Sequence, residues 1–111
     1  MILNVYFKPD RPELGAELTN SFCRADPEIA AAFARVTFLS DNRADLAGVT
    51  TPALILQCSE DMIAPGPVGQ YVQRHLPGSR LVQMAATGHC PNLSAPAETI
   101  AAIRDFVGAD R

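Results

Sequence analysis

The sequence predicts an α/β fold whose parallel sheet is incomplete, and three observations predict it. Apolar residues before position 50 recur at helical spacing, while beyond it two short strand-like runs alternate with two helical stretches. Two strands joined through a helix run parallel, with a right-handed crossover. The loop after each run carries one chemically useful residue, Asp61 in the first and His89 in the second. Open α/β sheets place their sites in such loops, so an acid and a base are expected on one edge of the sheet.

Residues 1–10 fit neither pattern and read as an atypical N-terminal segment. Lys8 to Pro12 is turn-like, because each proline disfavours helix at the residue before it. From Glu13 onward, Leu14, Leu18 and Phe22 step by four and make one helix face, predicting a helix over 13–24. Asp26-Pro27 is an N-cap followed by proline at the first helical position, with Glu28 in the first turn. Ile29, Phe33 and Val36 continue at helical spacing, so a second helix is predicted over 27–39. Packing in a helical core is the expected role of Phe22, Phe33, Val36 and Phe38, and lining a ligand pocket is the alternative. Asp41 to Arg43 reads as loop, with an ion pair between its ends worth little if exposed, and Asp45 to Val49 leads out of it. The domain organisation expected is a helical unit over 11–49 and a β-α-β-α unit over 50–111.

Pro52 to Gln57 is almost wholly apolar, the pattern of a strand buried on both faces of a parallel sheet. Ser59 to Pro67 is a loop. Val68, Tyr71, Val72 and Leu76 share a helix face, and Pro77-Gly78 stops that helix, with His75 a surface residue near its C-terminus. Arg80 to Met84 alternates like a second strand. Ala85 to Asn92 is a second loop, and Pro96 opens a last helix carrying Ile100, Ile103, Phe106 and Val107 on one face, with Gly108 at its end.

Composition excludes several function classes. The 111 residues carry a net charge of −3, and their basic residues are scattered singly, against a nucleic-acid surface. The longest apolar runs fall far short of the roughly 20 residues that span a bilayer, so no membrane partner is expected. The apolar start, Met1 to Phe7, lacks the basic flank and small-residue cleavage site of a secretory signal. Cys23, Cys58 and Cys90 are odd in number and form no Cys-x-x-Cys pair, which points to reduced thiols in a cytoplasmic protein, with one disulfide plus one free thiol as the alternative. No cofactor is implied.

Asp61 and His89 suit the two supporting roles of a serine-nucleophile triad: a base to take the serine proton and a carboxylate to hold the base in the right tautomer. The nucleophile would lie upstream in Gly-x-Ser-x-Gly on a strand-to-helix turn, and the sequence holds no such stretch. Ser21 falls within a predicted helix, Ser40 at a helix end, and Ser59 too close to Asp61. Cys90 is the alternative nucleophile, but adjacent residues on an extended loop point apart, so His89 serves it poorly. Cys58 is expected to pack as a small apolar residue. A metal site from Cys58, Asp61, His89 and Cys90 lacks the paired ligand spacing of structural zinc.

The stretch Pro52–Pro65, followed by Gly88–Pro96, resembles the C-terminal end of an α/β-hydrolase subfamily that contains the RsbQ-like sigma-B regulators and the plant strigolactone and karrikin receptors. Arg11–Pro27 and Phe38–Arg43 resemble the last lid helices of the RsbQ-like branch, so the likeness runs from about Arg11 to the C-terminus. The resemblance implies that Asp61 is the triad acid and His89 the base, that residues 13–39 belong to a helical lid over an apolar pocket, and that the partners are a small apolar ligand and a signalling phosphatase of the sigma-B stress response. The expected protein is therefore the C-terminal part of an α/β-hydrolase fold, lid helices followed by β-α-β-α, without the nucleophile and inactive alone. The alternative is a non-enzymatic module that binds a partner or self-associates through its open sheet edge.

Overall fold

A computed structural model describes residues 11–109, so the atypical segment 1–10 lies outside the described residues. Helix α1 spans Pro12–Cys23, taking in the proline that reads as turn in the sequence, and helix α2 spans Pro27–Leu39, starting on its proline as the sequence predicts. Asp26 caps α2, its carboxylate accepting from the Glu28 N–H at 2.9 Å and the Ile29 N–H at 3.2 Å. Neither helix contains a buried residue. The helical core expected around Phe22, Phe33, Val36 and Phe38 is not present: Phe33 is 74% exposed and Phe38 78%. Four-residue spacing identifies which face is apolar; it does not supply the element that covers it.

Arg43–Gly48 forms a 3₁₀ helix where the sequence predicts loop. Asp41 pins its start, accepting from the Arg43 backbone N–H at 3.1 Å and from its guanidinium at 2.6 and 2.8 Å. So short a helix leaves no periodicity to read.

Strands β1 (Ala53–Ser59) and β2 (Ser79–Thr87) pair in parallel, with Ala53 opposite Ser79 and Gln57 opposite Gln83. Helix α3 (Gly66–His75) crosses between them. It ends on His75, an exposed residue whose ring stacks on Tyr71 and whose Nδ1–H donates to the Tyr71 carbonyl at 2.8 Å. Gly78, at φ +69°, makes the turn into β2. Both strands outrun their predicted ends at Gln57 and Met84. The register breaks after Gln57, where the step to Ser59 on β1 faces the longer step from Gln83 to Thr87 on β2. Past Met84 the residues are Ala85, Ala86 and Thr87, which carry too little contrast between apolar and polar side chains to show the alternation by which a strand is recognised. Helix α4 (Pro91–Ser94) is a single turn inside the predicted second loop, and α5 (Pro96–Ala109) runs through Gly108 rather than stopping there.

The core is small: Cys58, Met84 and Ala86, flanked by the half-buried Leu56 and Ala95, with Met84 only 1% exposed. Cys58 packs as the small apolar residue expected. Gly69 of α3 is buried against β1, and a Cβ there would meet the Gln57 side chain. Among the described residues the sheet has two strands, so each strand keeps one unpaired edge. No described helix is long and apolar enough to cross a membrane.

Candidate functional site

The site is built where both strands end on the same side of the sheet. Asp61 follows β1 by two residues, and the residue between, Glu60, takes the left-handed conformation at φ +51°. That reversal turns the chain inward and leaves the Asp61 side chain 6% exposed. His89 follows β2 through Gly88, at φ +87°, a conformation that favours glycine. The two turns bring together residues 28 apart in sequence: His89 Nδ1 lies 2.9 Å from Asp61 Oδ2 and 3.2 Å from Oδ1.

Asp61 Oδ1 also accepts from the backbone N–H groups of Ile63, at 2.9 Å, and Ala64, at 3.0 Å. Burial pushes the Asp61 carboxyl up, but the bonds from Ala64, His89 and Ile63 outweigh it and hold the group below its ordinary value of 3.8. Asp61 is therefore ionised at neutral pH and can only accept. The proton between the two side chains sits on His89 Nδ1, which leaves Nε2 as the basic nitrogen of the neutral ring. The His89 side chain is 32% exposed, so an oriented imidazole stands at the surface with its carboxylate beneath it.

A second layer of residues holds these turns, and sequence reasoning missed it. Gln57, buried, donates through Nε2 to the Ala64 carbonyl at 2.8 Å and the Cys58 carbonyl at 3.1 Å, tying the Asp61 turn to β1. A glutamine in an otherwise apolar run is the signal that could have found it. Ser59 Oγ donates to the Met84 carbonyl at 2.7 Å, and the Glu98 carboxylate accepts from the N–H groups of Ala85 and Ala86. Glu98 carries no comparable signal, because an acid in a helix's first turn is ordinary.

The other sequence candidates do not join the pair as nucleophiles or ligands. Ser59 donates its hydroxyl to Met84 and Ser40 donates to the Thr37 carbonyl at 3.1 Å. All three cysteines are free. Burial, and then the Asp61 charge, pushes the Cys90 thiol above its ordinary value, and the same two causes act on Cys58, so neither is poised as a thiolate. Among the described residues no group of three or more His, Cys, Asp or Glu side chains is gathered to hold a metal ion. Apart from the pair, a cleft of about 490 Å³ opens between the 3₁₀ helix and α3, lined by Leu46, Pro67, Val68, Tyr71 and Val72 among others.

Residues 3–103 match the model of the alpha/beta hydrolase family. The chain is 35% identical over 95 residues to a karrikin insensitive 2 receptor of Petunia hybrida, covering 85% of this chain and 35% of that protein. It is 33% identical over 103 residues to the pimeloyl-[acyl-carrier protein] methyl ester esterase of Nitrosomonas europaea, covering 90% of this chain and 41% of that one. A hydrolase from Oleispira antarctica superposes with a TM-score of 0.91 at 35% identity, over 96% of this chain and 40% of that one. The chain thus spans 35–41% of the length of each.

Proposed function

The chain belongs to the alpha/beta hydrolase family, and from that premise we propose that it supplies the acid and base of an ester-cleaving serine hydrolase. Asp61 fixes the His89 tautomer and offsets the charge of the imidazolium; His89 Nε2 takes the proton of a serine hydroxyl as it attacks the ester carbonyl, then returns it to the departing alcohol. The bidentate contact between His89 Nδ1 and Asp61, 2.9 and 3.2 Å, carries this reading. The 111 residues hold no Gly-x-Ser-x-Gly stretch, so the proposal assigns no turnover to them alone. The ester is a small apolar one, received under α1 and α2 acting as a lid, because the face carrying Phe22, Phe33 and Val36 is apolar and open.

The test grafts the chain in place of the matching portion of the Oleispira hydrolase, which supplies the rest of a hydrolase fold. The chimera should hydrolyse p-nitrophenyl acetate, and His89→Ala or Asp61→Ala should lower its kcat about 10⁴-fold or more. An active chimera indifferent to both substitutions overturns the assignment. Turnover by the 111-residue chain alone that His89→Ala abolishes overturns the claim of inactivity.

A second reading, a non-enzymatic module that binds a partner or a second copy, is favoured by exposed apolar side chains on α1 and α2 and, among the described residues, by an unpaired edge on each strand of the sheet. Light scattering separates the two, since a strictly monomeric chain that binds nothing contradicts this reading.

A further inference from the structure

The bulge in β2 lies between Gln83 and Thr87, immediately before the loop that carries His89. Extra residues in one strand leave backbone groups without ladder partners, and these have to be satisfied elsewhere. Here backbone groups of the bulge are met by two different elements. From β1, Ser59 Oγ donates to the Met84 carbonyl at 2.7 Å. From α5, Glu98 reaches back across the His89 loop, Oε1 accepting from the Ala85 N–H at 2.6 Å and Oε2 from the Ala86 N–H at 3.0 Å. Met84 and Ala86 are thereby turned into the core while Ala85 between them faces out.

We propose that Glu98 is a positioning residue for His89: its carboxylate closes the β2 bulge from α5 as Ser59 does from β1, and so fixes the height at which His89 meets Asp61. The inference rests on the triad reading above and deepens it. Two adjacent N–H donors require two acceptor oxygens with no donor between them, which a carboxylate provides and a carboxamide does not. Glu98 also sits in the first turn of α5, where the helix dipole favours its charge. It therefore ties the start of α5 to the bulge that precedes the loop carrying the base.

Proton NMR of the full 111-residue chain tests this. The Nδ1–H of a histidine held by a carboxylate gives a far-downfield resonance, assigned to His89 by its loss in Asp61→Asn. Glu98→Gln keeps the side-chain volume but sets an N–H against one backbone donor. It should retain its far-UV circular dichroism, shift or broaden the His89 resonance, and speed amide exchange at Ala85 and Ala86 about ten- to a hundredfold. Glu98→Ala should do the same more strongly. An unchanged His89 resonance in a folded Glu98→Gln chain overturns the role of Glu98 while leaving the triad reading intact. Absence of that resonance from the unsubstituted chain overturns the Asp61–His89 pairing itself, and this inference with it. If Glu98→Gln and Glu98→Ala both lose the fold, Glu98 is a structural residue and the positioning role is refuted.

Discussion

Residues 11–49 and residues 50–109 of this chain solve opposite halves of the folding problem. The first stretch has well-marked helix ends, with Pro12 opening α1 and Asp26 and Pro27 opening α2, yet neither helix buries a residue. The second has strands that outrun their sequence signals, a bulge and a one-turn helix, yet every buried residue among those described lies in it, from Gln57 to Thr99. Local signals decide where a helix starts; contacts distant in sequence decide whether anything is enclosed. The chemistry follows the enclosure, because only a desolvated, over-determined carboxylate holds an imidazole in one orientation.

The contrast can be broken most forcefully at Met84. Truncating it to alanine empties the centre of a three-residue core and should cost about 2–5 kcal/mol, measured by urea denaturation. Failure to destabilise would show that the second region is no more enclosed than the first. A matched pair of glycines sharpens the comparison further. Gly69→Ala drives a methyl into the buried, hydrogen-bonded Gln57 and should cost about 1–3 kcal/mol, outweighing its gain in helix propensity. Gly15→Ala meets nothing within 4 Å and should stabilise by up to about 1 kcal/mol. One substitution, made on a helix in each region, is thus expected to change sign.

Acid provides the next contrast. The folded Asp61 carboxyl lies below its ordinary value of 3.8, so its contribution to stability is complete above that pH and is lost as the pH falls below it, through the lower folded value. Asp61→Asn should remove this part of an acid-unfolding curve. Asp41 is held down at about 2 by its bonds from Arg43, but the pair is exposed, and Asp41→Asn should leave the same curve unmoved. The smallest effect is expected from Phe33→Ser, which should alter stability by less than about 0.5 kcal/mol while lowering any self-association seen by light scattering.

What could be read from the residues alone divides along the same line. Both N-terminal helices, the parallel pair and the meeting of Asp61 with His89 were legible, because prolines, an N-cap and strand–loop order are local features. The continuation of β2 to Thr87 was not, since Ala85, Ala86 and Thr87 carry too little contrast between apolar and polar side chains to show alternation. The fate of Phe22, Phe33 and Phe38 was not either: a periodic apolar face announces a partner without naming it. Ser59, Gln57 and Glu98 escaped for a related reason, as each acts on backbone groups that sequence spacing does not bring into view.

The left-handed turn at Glu60 bears on how this protein can drift. Its side chain is exposed and belongs to no proposed chemistry, so by composition it should be among the freest positions in the chain. Its φ of +51° makes it one of the most selective, since branched side chains there meet a steric penalty that glycine, asparagine and aspartate escape. In a saturation library the position should fill with those three and shed isoleucine and valine, leaving a tolerance profile shaped by backbone handedness alone, one residue from the acid.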